Sequence, residues 1–345
     1  MTRRKITFLL RQLRSGRAAL VVVGAAAVLL GFSSSPASAG PRPAPRLAHL
    51  AQFTALGSGS TIGPDGALYV TDGASGSVDR IDPSTGAVSV YATGLPPKVQ
   101  AIGGAMDVAF LRDQAYALVT LVGGDIVGGP HLGDAVVGIY RLDGGAQATP
   151  IADIGAWSVA HPPGTGYFVT TGVQYAMAVD RGSFLVTDGH HNRVLRVSLD
   201  GSISEMATFG NVVPTGLEVQ GDRIWVSQAG PVPHVPDTGR VLTLRHRGDR
   251  AEVARGASLL IDVELGPRHQ LYALSQGQWD EVMEGSPALP NTGRLERVTR
   301  SGGLEPVVDA RGQEIVLDRP TSVEFVGRTA YIVSLSGDVY TVQGL

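Results

Sequence analysis

Short apolar runs separated by tight polar turns recur along the chain, and six of them carry an aromatic residue or a leucine at the centre: Tyr69, Tyr116, Leu185, Trp225, Tyr272 and Tyr331. The fullest copies read Pro64-Asp65-Gly66-Ala67-Leu68-Tyr69-Val70-Thr71-Asp72-Gly73 and Val179-Asp180-Arg181-Gly182-Ser183-Phe184-Leu185-Val186-Thr187-Asp188-Gly189. Their period-two patterning reads as strand, and each leads into a second strand such as Arg193-Val194-Leu195-Arg196-Val197. A spacing of roughly 40 to 70 residues suits a four-stranded blade with its loops, so the pattern predicts an all-β, six-bladed β-propeller.

Short apolar segments suited to the inner, axis-facing strands lie at 104–110, 175–179, 215–219, 261–265 and 321–325. The last blade runs out of chain after 338–342, while 47–53 precedes the first inner strand. Pairing those two segments closes the ring and removes a sheet edge. Three connections are long, 121–136, 229–239 and 276–293, and all join the second and third strands of their blades. In an up-and-down blade they emerge on the side from which the chain enters each inner strand. That loop-rich upper face is where a site is expected.

Residues 1–39 read as a cleavable signal peptide. Arg3, Arg4, Lys5, Arg11, Arg14 and Arg17 hold all its charge, 18–32 is apolar or glycine, and Ala37-Ser38-Ala39 supplies a small-x-small cleavage pattern. The apolar run falls short of the roughly 20 residues a spanning helix needs. A secreted protein with no membrane insertion after cleavage is expected, by either the general or the twin-arginine export route. Residues 40–46, rich in Pro, Ala and Gly, are expected to form a flexible arm before a single propeller domain over 47–345.

Losing the leader removes six basic residues and no acid, taking the formal net charge from −3 to −9. That disfavours nucleic acid as a partner. With no cysteine in the chain, stability must come from a core rather than from disulfides, and about 300 residues suffice for one large core. The expected state is a monomer.

The phrase Leu185-Val186-Thr187-Asp188-Gly189-His190-His191-Asn192-Arg193-Val194-Leu195-Arg196-Val197 resembles an NHL-type repeat. With Val213-Pro214-Thr215-Gly216-Leu217, Gly230-Pro231-Val232-Pro233 and Ile261-Asp262-Val263-Glu264-Leu265-Gly266-Pro267, the chain from 47 onward resembles the ScyD/ScyE family of extracytoplasmic six-bladed propellers. The resemblance implies fold and export, and no established reaction. Gly172-Val173-Gln174-Tyr175 departs from it, standing where an Asn-Pro-Tyr phrase is usual.

Five residues are candidates for a ligand site around one mouth on the upper face: Asp72, Asp188, His190, Trp279 and Asp280. Asp72 and Asp188 close matching Thr-Asp-Gly phrases, where an aspartate ordinarily caps a turn. His190 and His191 have His131 and His234 in neighbouring long loops, without the local spacing of a zinc site. Trp279 beside Asp280, Glu281 and Glu284 suits the rim of a sugar, aromatic or cationic ligand. A helical turn over 279–285 would align Asp280 with Glu284. Leu289-Pro290-Asn291-Thr292-Gly293 spells a sortase signal, but a complete blade follows it.

Neither a G-x-S-x-G elbow nor a P-loop is present. Propeller lactonases similar to regucalcin and gluconolactonase hold calcium at the axis with Glu, Asn and Asp, and this chain offers only Asn192, Asn211 and Asn291 as the amide. The expected function is binding of a small molecule, glycan or partner protein on the loop-rich face. The alternatives are a hydrolase or lactonase using a divalent cation such as calcium, and a scaffold for a cell-surface enzyme. Carboxylates converging on the channel favour the hydrolase; a flat apolar face favours the scaffold.

Overall fold

A computed structural model describes residues 44–53, 57–281 and 285–345. The expected signal peptide, most of the expected arm, and Glu284 with its proposed helical turn lie outside the described residues. Six antiparallel sheets follow one another in chain order. Their inner strands are Gly57–Ile62, Gly104–Leu111, Gln174–Asp180, Val213–Gln220, Leu260–Leu265 and Pro320–Val326 in blades 1 to 6. Each inner strand packs on the next, and that of blade 6 packs on that of blade 1, which makes the ring a six-bladed propeller.

Closure follows the sequence pattern. Arg46–Gln52 pairs antiparallel with Asp338–Gln343 and becomes the outer strand of blade 6, in the order Arg46–Gln52, Asp338–Gln343, Thr329–Ser334, Pro320–Val326. Phe53 continues the join by donating its N–H to Gly337 O at 3.0 Å. The strand starts one residue earlier than expected, at Arg46.

The core is not one body. Six apolar layers lie between successive blades, typified by Val108 with Tyr69, Phe184 with Leu118, and Val333 with Leu68. Every blade is therefore buried on both faces, and the strand centres found in the sequence fill these layers. A smaller cluster of Leu121, Leu132, Val169 and Val173 sits beneath the upper loops.

The three long connections join second to third strands as expected. The first contains a hairpin of Gly123–Asp125 with His131–Asp134. A further segment not foreseen from the sequence, 154–173, crosses from blade 2 to blade 3 on the same face. It begins with the helix Ile154–Ala160, capped by Asp153 Oδ1 accepting Ala156 N–H at 2.7 Å.

Candidate functional site

Aligning the blades on their central residues shows what faces the axis. The inner-strand residue paired with each centre is Thr61, Ala109, Ala178, Glu218, Glu264 and Glu324 in blades 1 to 6. All six line one cavity of about 460 Å³ on the axis, within the size range of small-molecule pockets. Blades 4, 5 and 6 thus place three glutamates side by side at one depth, facing small uncharged residues across the channel.

Two residues earlier in each strand, about 7 Å toward the upper face, the same alignment gives Gly59, Asp107, Ala176, Gly216, Asp262 and Ser322. This layer has a two-fold pattern. Asp107 accepts N–H bonds from Val108 (2.8 Å) and from Met177 in blade 3 (2.7 Å). Asp262 does the same with Val263 (2.8 Å) and Val323 in blade 6 (2.8 Å). In each case a glycine in the preceding blade makes room: a Cβ on Gly59 would lie 2.2 Å from Asp107 Oδ1, and one on Gly216 would lie 2.7 Å from Asp262 Oδ1. The two aspartates are blade-to-blade staples. The glutamates obey no such symmetry, and among the described residues none accepts a backbone N–H from the next blade, so the staple role does not explain them.

Electrostatics distinguish them further. Burial pushes Asp262 up to about 7, with the Glu218 charge adding to it and the two backbone N–H bonds opposing. Asp107, Glu264 and Glu324 are raised well above the ordinary carboxyl range, in each case first by burial and then by neighbouring carboxylates. Burial also raises Glu218, against the Val219 N–H and a hydrogen bond from Glu264. A hydrogen bond between two carboxyls requires a proton, so Glu218 and Glu264 hold one between them. Crowded carboxyls far from bulk water cannot all ionise together.

At the rim, the cavity meets Tyr175, His190, His234 and Trp279. Tyr175 Oη and His190 Nε2 lie 3.0 Å apart. His234 meets Trp279 edge to face, with ring centroids 5.6 Å apart. Of the five residues expected around one mouth, the structure brings together His190 and Trp279 at the cavity wall. Asp280 stands behind it, half-buried and accepting from Ser286 Oγ at 2.8 Å.

Asp72 and Asp188 do not reach the cavity. Asp72 is buried and caps its own turn, accepting from Ala74 N (2.8 Å) and Ser75 N (3.3 Å). Asp188 is fully buried, held by Arg193 Nε (2.8 Å) and Gln174 Nε2 (2.9 Å). Both follow the ordinary turn-and-core behaviour of strand-end aspartates, because each faces into its own blade end rather than toward the axis. Gln174, the departure from the family phrase, extends the network by accepting from Thr120 Oγ1 at 2.8 Å.

The residues do not form a preformed cage for a divalent cation. Asp107 and Asp262 commit both oxygens to backbone N–H groups, and among the described residues no three His, Asp or Glu side chains converge as ligands. The asparagine such a cage would use is missing from the wall as well, where the amide among the described residues is that of Gln276. Asn192 is buried and donates to Thr165 Oγ1, and Asn211 bonds the Val232 backbone.

Known proteins with this arrangement of blades include a gluconolactonase from Xanthomonas campestris, 15% identical, with a TM-score of 0.56 over 90% of this chain and 93% of that one. A PQQ-bound aldose sugar dehydrogenase from Streptomyces coelicolor is 13% identical, with a TM-score of 0.56 over 88% and 99%. A streptogramin B lyase is 12% identical, with a TM-score of 0.50 over 87% and 97%. The likeness shows the six-bladed fold. No family profile and no curated protein matches the chain.

Proposed function

We propose that this chain is an exported propeller of the ScyD/ScyE type that binds a small molecule in its axial funnel. The observation that carries this reading is the convergence of Trp279, His190 and His234 at the rim with Glu218, Glu264 and Glu324 below, all on one cavity. An enclosed pocket with a few converging polar groups is the usual form of a small-molecule site, whereas a scaffold would present a flat apolar face. A thermal-shift screen of lactones, sugars, amines and divalent ions tests it. At least one class should stabilise the protein and move Trp279 fluorescence; a screen in which none does either would refute it. Export is tested separately, by N-terminal sequencing of secreted protein, which should begin at or near Gly40.

A second reading, lactone hydrolysis, is favoured by the proton shared between Glu264 and Glu218. An acid beside its conjugate base suits proton transfer to and from a reacting group, and the reading needs no metal cage. A pH-stat assay on five- and six-membered lactones decides it: E264Q should abolish any turnover the parent shows.

A further inference from the structure

The cavity wall contains five carboxyl groups and neither lysine nor arginine among the described residues. Two of the five, Asp107 and Asp262, are used up as staples between blades. Glu218 and Glu264 share one hydrogen bond. Among the described residues Glu324 has the negative charge of Asp262, Glu218 and Asp107 near it and no hydrogen-bond partner, yet it stands inside the ring facing the cavity. Its proper partner is therefore something that enters the cavity.

A carboxylate wall with no internal cation selects positive charge. With a neutral polyol the crowded glutamates would go on holding protons, while one ammonium group between them lets them ionise and satisfies several oxygens at once. A bare divalent ion fits less well, because among the described residues no three His, Asp or Glu side chains converge to metal-binding geometry. Met106, Met177 and Leu217 supply apolar wall for a hydrocarbon body, and Trp279 puts at the rim an aromatic ring of the kind whose face attracts a cation. We infer that the funnel takes a small organic cation, its ammonium group seated among Glu218, Glu264 and Glu324.

This inference rests on the small-molecule reading of the same site, and its test separates the two. Tyramine, tyrosol and 4-hydroxyphenylacetate have nearly the same size and carry an ammonium, a hydroxyl and a carboxylate. Calorimetry on the purified protein should show tyramine binding at least tenfold more tightly than either analogue. The preference should be greater at pH 8 than at pH 6, because Glu218, Glu264, Glu324, Asp262 and Asp107 shed protons as pH rises while the amine keeps its own.

E324Q should weaken tyramine at least tenfold and leave tyrosol unchanged; E218Q is the second variant should E324Q fail to fold. Equal affinity for tyramine and tyrosol, or tyramine binding unaltered in both variants, overturns the inference. If lactones or sugars bind and amines do not, the organic cation falls and the funnel site stands. If nothing in the panel binds, both fall.

Discussion

Arg193 donates its Nε to Asp188 at 2.8 Å, with both side chains almost wholly withdrawn from solvent. The rest of the guanidinium is committed too. It donates to His161 O (2.8 Å) and Ser158 Oγ (3.0 Å), and lies 4.8 Å from the centre of the Trp157 ring. His191 donates Nε2–H to Val169 O at 3.0 Å and so presents Nδ1 as acceptor to Arg193 Nη2, also at 3.0 Å. One buried ion pair thereby fastens the crossing segment 154–173 to blade 3.

Removing one member of such a pair leaves the other charge buried and unpaired, which costs about 3–5 kcal/mol. R193M should lower stability by that amount in urea denaturation, and D188N by less, since an amide still accepts from the guanidinium. Neither should alter ligand affinity in the funnel of the folded protein. A ligand effect at unchanged stability would return Asp188 to the site.

Deleting residues 44–52 removes the outer strand of blade 6 and uncovers the edge of Asp338–Gln343. Buried Ala51 and half-buried Leu47 and Leu50 leave the core with it. The expected cost is at least about 3 kcal/mol, together with a greater tendency to self-associate through the open edge. An unchanged melting temperature would contradict the closure.

Gly59→Ala forces a methyl into the space of the Asp107 carboxylate, 2.2 Å from Oδ1. Overpacking at such a junction costs about 1–3 kcal/mol. The double variant G59A/D107A should recover less than the full loss, because it removes the carboxylate but leaves the new methyl 2.7 Å from Met106 O and the Met177 N–H without its acceptor. Equal stability of G59A and the parent would show that the junction yields freely.

Glu296, buried in the third strand of blade 5, is pushed up to about 7 from 4.5, chiefly by burial and then by the nearby Glu314 charge. Its folded form keeps a proton that the unfolded chain has already lost. Its contribution to stability is therefore whole below pH 4.5, declines as pH rises to about 7, and is absent above. The decline amounts to about 3 kcal/mol. E296Q cannot ionise, so its melting temperature should exceed the parent's at pH 8 and match it near pH 4.5. A constant difference across that range would remove Glu296 as the cause.

Trp279 lines the cavity, whereas Trp157 is stacked on His161 with centroids 4.4 Å apart and Trp225 is buried in a blade interface. A ligand entering the funnel should move the emission of the parent, and W279F should lose most of that response. Retention of the full response in W279F would place the ligand elsewhere.

Local patterning was enough to read the six blades, the inner strands at 104–110, 175–179, 215–219, 261–265 and 321–325, the closing strand and the loop-rich face. All of these follow from local period and spacing, since a strand buried on both sides must repeat its apolar centre wherever a blade recurs. Tertiary structure alone decided the site. Glu218, Glu264 and Glu324 stand in ordinary alternation in their strands, seven or eight residues before the centres they pair with. Measuring every blade from its centre is the one sequence signal that would have gathered them. Their meeting depends on ring closure, which brings residues more than a hundred positions apart to one depth on one axis. Asp72 and Asp188 share a phrase and a blade position, yet that position points into the blade end. Chemistry read from a local motif gave no direction, and direction was set by packing.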